Sequence, residues 1–408
     1  MTLHSRLRVF VCAALACLPV VAAAQDADGP VDTGRYKFKA IRFTPSILVS
    51  NVGVDNNVFN NEGQPQSDFT AAFGPAMNLW TDVGSSHIAA KVGVQYFYFH
   101  EFAQERSWNA SNELRWSFPL ARLTPFVEGR YITTRERPNY EIDARARQTN
   151  SGLLLGTDLE LSGKSLIRVT AQRSEVLFDD ALYAGASLSD TLDRRTDLIE
   201  GQFRYKLTPL TTFVVRSGVM QDRFLNDSVR DSNSFRIAPG FELKPFALIS
   251  GNAFVGMRHF NGLSSTLPDY QGMIASVDAK YTLNDATLFQ VKVARDLEYS
   301  YETTQPYYAL QDATLSVTER VTQTFDIVGR VGRQLLNYKN ATPAAFDATA
   351  VPERSDKGQM FGGGIGYRFG QTLRFGFDVD HYERSSPVAG RGYSGFRAGG
   401  SIGYGFSQ

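Results

Sequence analysis

The chain has 408 residues, with 42 lysines and arginines against 42 aspartates and glutamates, and a mean hydropathy of −0.23. That balance lacks the basic footprint of a nucleic-acid binder, so no nucleic-acid partner is expected. Both cysteines, Cys12 and Cys17, fall in the first segment, which excludes a disulfide framework, a cysteine metal site and a thiol nucleophile from everything after it.

The first segment opens with MTLHSRLR, carrying Arg6 and Arg8 and no acid, and continues with the apolar run VFVCAALACLPVVA. Small residues up to Ala24 precede Gln25. This is the pattern of a secretory signal peptide over residues 1–24, with cleavage between Ala24 and Gln25. The apolar run is too short for a membrane-crossing helix, and no longer one follows. Without Arg6 and Arg8 the remaining chain carries 40 basic and 42 acidic residues. Residues 25–40 read as a short periplasmic lead-in to a barrel domain over 41–408.

From there on the chain alternates. Residues 69–79 place Phe69, Ala71, Phe73, Met77 and Leu79 on one parity, and residues 88–98 do the same with Ile88, Ala90, Val92, Val94, Tyr96 and Tyr98. In SNELRWSF, 111–118, Leu114, Trp116 and Phe118 alternate with Glu113, Arg115 and Ser117. Ile199, Phe203, Tyr205 and Leu207 stand opposite Glu200, Gln202, Arg204 and Lys206; Leu373, Phe375, Phe377 and Val379 stand opposite Arg374 and Asp378. Period two over this much chain means strands with one apolar and one polar face.

Short turns at 82–86, 119–122, 162–165, 208–211, 284–285 and 370–372 alternate with longer polar loops. The loops include 60–66, 135–144, 178–194, 225–231, 261–269, 340–356 and 385–394. Short turns on one rim and long loops on the other are the mark of an antiparallel transmembrane β-barrel, with turns in the periplasm and loops outside the cell. Counting stretches between turns gives about 18 strands, with 16 as the alternative even number. Soluble sandwiches and propellers also alternate, but their strands are shorter and no blade-length repeat occurs. The last strand, SGFRAGGSIGYGFSQ, puts Ile402, Tyr404 and Phe406 on the outer parity, with Ser407 and Gln408 after the final aromatic. Such an ending resembles the signal read by the barrel-insertion machinery.

Residues 43–79 resemble the opening of the putative beta-barrel porin 2 family. The residues that carry this are Pro45 in the first strand, Asp55-Asn56-Asn57 at the first tip and Ser67-Asp68 opening the second strand. The resemblance implies an outer-membrane barrel acting as a conduit, and many members are associated with exopolysaccharide secretion.

The chemistry expected inside follows from cost. An Arg or Lys on the lipid face near the midplane costs about 2–4 kcal/mol, so charged parities turn inward. Glu113, Arg115, Glu128, Arg130, Glu200, Arg204, Lys206, Arg368, Arg374 and Asp378 are the expected pore-lining charges. Gly362, Gly364 and Gly366, with Gly399, Ser401, Gly403 and Gly405, share that parity. They predict a lumen wall with almost no side-chain bulk, which leaves room for a passing chain or an inward loop, or simply serves curvature. Gly364 and Gly403 complete the pore-lining set. Trp80, Trp108, Trp116, Phe118, Tyr205 and Phe406 read as outward girdle residues, and Tyr307 and Tyr308 as loop residues open to sugar contact.

Enzyme signatures are weak. Asp380 beside His381 points to opposite faces of a strand. SGKS at 162–165 has Asp158 where a phosphate loop needs glycine, and FGGGIG at 361–366 opens no helix. The Gly-x-Ser-x-Gly spelling at 399–403 falls inside the last alternating stretch and opens no helix, so it is no nucleophile elbow. No catalytic residue, metal or cofactor is expected. The favoured function is a passive conduit for exopolysaccharide or a related polymer, working with periplasmic export components. A general diffusion porin for small hydrophilic solutes and a surface-binding, adhesin-type barrel with a plugged lumen are the alternatives. The expected partners are outer-membrane lipid, the insertion machinery and, for export, those periplasmic components.

Overall fold

The structure is a computed structural model describing residues 35–244, 248–342, 353–370 and 372–405. The signal segment, its cleavage site Ala24–Gln25 and Phe406 lie outside the described residues. The lead-in is described from Arg35, and its Tyr36–Phe38 strand folds back on Ile41–Phe43.

Among the described residues, eighteen long strands pair antiparallel, each with the next, and the last pairs with the first. The barrel is therefore closed and leaves no free edge, which disposes of every backbone donor and acceptor in its wall. The strands are β1 Ile41–Asp55, β2 Asp68–Val83, β3 Ser86–Phe99, β4 Ser107–Ser117, β5 Leu123–Thr134 and β6 Gln148–Glu160. Next come β7 Ser165–Phe178, β8 Arg194–Thr208, β9 Thr211–Phe224, β10 Ser232–Leu243, β11 Ile249–Gly262 and β12 Tyr270–Leu283. The set closes with β13 Thr287–Tyr299, β14 Tyr307–Arg320, β15 Phe325–Lys339, β16 Ser355–Phe369, β17 Leu373–Ser385 and β18 Tyr393–Tyr404. The expected count of 18 is the observed one. All the expected short turns fall on one rim, the turn rim, and the long loops on the other, the loop rim.

The alternation answers to position. Leu114, Trp116, Ile199, Phe361, Ile365 and Phe377 stand exposed on the outer surface, while their neighbours Glu113, Arg115, Glu200 and Asp378 face inward into ion pairs. Leu207 and Phe369 are the outer residues next to the turn rim, which extends the apolar band to that edge. Near the loop rim the outer face of β7 and β8 turns polar, with Arg173 paired to Asp197 and Arg195 to Glu175.

One break in period two is accommodated in β1. The register shifts between Ser50 and Gly53, and Asn51 adopts a left-handed φ of 54°. The bulge moves the outward parity from Ile47 and Val49 to Val52 and Val54, and so brings Asp55 inside. Gly53 is required there, because a Cβ would sit 1.9 Å from the Ala398 carbonyl oxygen.

Two aromatic expectations are corrected. Trp80 pairs in register with Arg42 and Ala89, on the inward parity, because Leu79 beside it takes the outer one. Tyr307 and Tyr308 are not loop residues: they open β14 and are buried. Tyr307 donates to the Pro268 carbonyl at 2.9 Å, and Tyr308 packs with Leu310, Leu336 and Tyr338. Neither has a face open to a sugar. Trp108, Trp116 and Tyr205 are outward near strand ends, and Phe118 follows β4 with its ring 4.6 Å from that of Trp116.

Candidate permeation pathway

The interior surface is a network of ion pairs running around the wall. Glu113 lies 3.6 Å from Lys91 and 3.9 Å from Arg130; Arg115 meets Glu128 at 3.4 Å. Glu200 takes Arg236 at 2.6 Å, and Arg204 shares Glu242 with Arg216. Lys206 is exposed on the inward parity near the turn rim. Arg368 and Arg374 both engage Asp326, at 2.8 and 2.7 Å. Asp378 takes Arg330 at 2.8 Å.

Asp158–Arg168, Arg258–Asp296, Arg397–Asp55, Asp326 and Arg330 lie outside the expected pore-lining set, although the same parity argument reaches all of them but Asp55. Asp55 comes inside only through the bulge in β1.

The glycine row proves to be filled rather than open. A Cβ on Gly364 would fall 2.2 Å from the Asp378 carboxylate; one on Gly362 would meet Asp380 and Arg330. One on Gly366 would meet Arg374 and Asp326. Side chains from β15 and β17 thus join across β16, using the space that its glycines leave. Gly364 lies beneath this bridge and not at open lumen. Gly403 lies opposite Arg374 on one side and Leu48 on the other. Asp380 faces this network, while His381 lies half-exposed near Glu383 on the outer face, so the two make no acid–histidine pair.

A feature that no local pattern reveals is the path of the loop 135–147 between β5 and β6. Asn139 accepts from the amides of Glu141 and Ile142, both at 2.9 Å, which forms a tight Asx turn at its tip. From there Tyr140 packs against Tyr308, Leu310, Leu336 and Tyr338 on β14 and β15. Those strands lie nine places from β5 and β6 in either direction, so the loop crosses the full width of the lumen. Leu310 and Leu336 are three residues in from the loop-rim ends of their strands, about 10 Å along the strand at ~3.3 Å per residue.

Polar contacts fix the loop where it lands. The Glu141 carboxylate is fully buried and accepts from Ser300 Oγ at 2.7 Å and the Tyr301 amide at 3.2 Å, with Arg354 at 4.0 Å. Its backbone carbonyl takes Arg391 at 2.6 Å. Asp143 pairs with Arg384 and accepts from Asn60 and Tyr183. Arg137 and Arg145 both donate to the Val58 carbonyl at 2.8 Å.

A small apolar core forms around this. Ile142 and Ala146 pack with Phe178, Leu188, Leu192 and Tyr301. Leu188 and Leu192 sit on a single helical turn, Leu188–Leu192, whose N-cap Ser187 accepts from the Asp190 amide. Burial pushes the Glu141 carboxyl up to about 7, against the hydrogen bond from Ser300 and the charges of Arg391 and Arg354.

The loop leaves part of the cross-section to water. Lys91, Glu113 and Glu128 on β3–β5, with Asp278 and Lys292 on β12 and β13, keep a third to a half of their side-chain surface exposed. Those two stretches of wall face each other. By contrast Arg168, Arg204, Arg258 and Arg368 are buried.

The sequence profile of the putative beta-barrel porin 2 family matches residues 42–399. The chain belongs to that family. Within solved structures, this porin 2 member is similar to the outer membrane protein opdK from Pseudomonas aeruginosa. The TM-score is 0.50 at 9% identity, covering 89% of this chain and 98% of that one. It is also similar to OccK2 (OpdF) of the same organism, with TM-score 0.49, 11% identity and 89% and 97% coverage. A BenF-like porin from Pseudomonas fluorescens Pf-5 gives TM-score 0.47, 9% identity and 91% and 100% coverage. At such identities the likeness concerns the fold of the porin 2 chain alone. No curated protein matches it.

Proposed function

We propose that this chain is a passive outer-membrane channel for small hydrated solutes, narrowed by the loop 135–147. The apolar outer band would meet acyl chains, the short turns would face the periplasm and the long loops the exterior. One observation carries the reading. The lumen keeps water-exposed charges of both signs on two facing walls, while the crossing loop 135–147 occupies the space beside them. Mixed charge in a wetted lumen suits neutral and weakly charged solutes.

Passage of a polysaccharide chain would require the loop core around Ile142, Leu188 and Tyr301 to swing aside. Export with periplasmic partners is therefore the weaker reading, though the same barrel can serve it.

Liposome swelling with sugars of increasing size tests this. The expected result is entry of mono- and disaccharides, exclusion of longer oligosaccharides, and admission of those oligosaccharides once residues 139–143 are shortened to a glycine linker. Entry of long oligosaccharides into liposomes holding the unaltered protein would favour export. Exclusion of every sugar by both proteins would favour a plugged, surface-binding barrel.

A further inference from the structure

We infer that Arg320, Arg368 and Arg374 form an oxyanion-binding site on the inner wall at the turn rim, built to take the carboxylate or phosphate group of a solute. The three arginines come from the ends of β14, β16 and β17, and they surround one acid, Asp326 of β15. Asp326 is fully buried and accepts from Arg374 through Nη2 at 2.7 Å and Nε at 3.3 Å. Arg368 approaches Oδ2, the oxygen that Nε of Arg374 also takes, at 2.8 Å without hydrogen-bond alignment. Arg320 stands directly across from Asp326 in register. Arg368 stands directly across from Arg374, an arrangement in which like charges repel. Arg368 and Arg374 share the one carboxylate and Arg320 stands beside it, so that even with Asp285 of the turn 284–286 near Arg320 the group keeps a local excess of one positive charge.

The excess has donors to match. Nε and Nη2 of Arg320, with Nε and Nη1 of Arg368, are buried and have no hydrogen-bond partner. Arg368 is only 4% exposed, so water does not meet that deficit freely. Unmet guanidinium donors are costly, and an oxyanion satisfies several at once through the planar fork of arginine. Arg374 keeps 16% of its side chain exposed and Arg320 is part-exposed, so the group is reached from the lumen through these two. Arg374 lies flat over glycines: a Cβ on Gly366 would come within 2.2 Å of its Nη2, and one on Gly376 within 2.8 Å of its Nη1. Elsewhere on the wall, Arg168, Arg258 and Arg397 each have an acid of their own.

The consequence for transport rests on the channel reading; the site itself does not. At the turn rim it would concentrate solutes bearing a carboxylate or phosphate at one mouth and make the pore favour anions.

Two measurements on the full chain test this. Calorimetric titration of the detergent-solubilised protein with inorganic phosphate should give saturable binding. Arg320→Gln should weaken it at least several-fold, and Arg320→Gln with Arg374→Gln should abolish it. Arg320 has no hydrogen-bond partner at Nε or Nη2, so Arg320→Gln should fold, as checked by heat-modifiable migration in gels. Arg333→Gln, on the outer parity, should bind phosphate like the unaltered chain. In planar bilayers under a potassium chloride gradient, the unaltered protein should prefer anions, and millimolar phosphate should reduce chloride current. Both effects should shrink in the double variant.

Phosphate binding that is absent from the unaltered protein, or equal in the double variant, overturns the site. Binding lost in the variants without any conductance upholds the site and removes the channel.

Discussion

The two sides of the lumen carry the same kinds of residue and behave differently. On β3–β5 the charges Lys91, Glu113, Glu128 and Arg130 stand in loose pairs facing water. On β15–β17 the charges Asp326, Arg330 and Arg368 are buried and Arg374 is part-buried, all close-packed and laid over a glycine strand. Parity is identical on both sides. What separates them is the bare strand: the glycines of β16 let side chains of its two neighbours, β15 and β17, reach one another. An inward charge therefore ties strands together on one side, with spare donors only at the turn rim, and stands in water on the other.

Breaking the packed side should have the largest effect. Asp326→Ala leaves Arg368 and Arg374 without their acid and should cost about 3–5 kcal/mol, as expected for an orphaned buried charge. Equilibrium unfolding in urea from detergent measures it. Glu113→Gln on the wet side should cost no more than about 1 kcal/mol. Equal costs would erase the distinction between the two walls.

Gly364→Leu drives its Cβ into the Asp378 carboxylate and should cost about 1–3 kcal/mol by overpacking. Gly129→Leu, where nothing lies within 4 Å, should change stability by no more than about 0.5 kcal/mol. The same unfolding assay reads both.

The loop itself should respond to pH. Because the carboxyl of Glu141 is pushed up to about 7 by burial, the seated loop holds a proton that a released loop would lose from its ordinary value of 4.5 upward. Seating is thus strongest below that value and weakens as pH rises towards about 7, after which the effect levels off. The groups facing the carboxyl are Ser300, Tyr301, Arg354 and Arg391. Single-channel conductance should rise over this window, and Glu141→Gln should flatten the rise. The smallest effect is expected from Lys91→Gln, which should shift ion selectivity slightly with stability unchanged.

The barrel was legible in the sequence because a strand with lipid on one side and water on the other writes its environment every second residue. Eighteen strands, the rims and the inward charges of β4, β5, β8, β16 and β17 follow from that rule. The path of residues 135–147 does not. Its partners Ser300, Leu336 and Arg391 are far away in the chain, and a polar loop that stays outside has the same composition as one that turns in. The sequence leaves the glycines of β16 between open wall and curvature for a related reason: period two describes a strand and its own faces, while Gly364 is covered by Asp378, a residue whose role depends on a partner two strands away. Tyr307 and Tyr308 looked like loop residues because two adjacent tyrosines after a proline carry no alternation.

Alternation alone leaves an ambiguity that the glycine strand removes. Sliding β16 by two residues against β15 and β17 would keep every oily side chain outside and every polar one inside, so the membrane could not tell the difference. The bare positions 362, 364 and 366 can, since only one alignment sets them beneath the crossing arginines and carboxylates. This seam acts as a vernier for assembly, choosing among settings that greasy contact alone would accept equally.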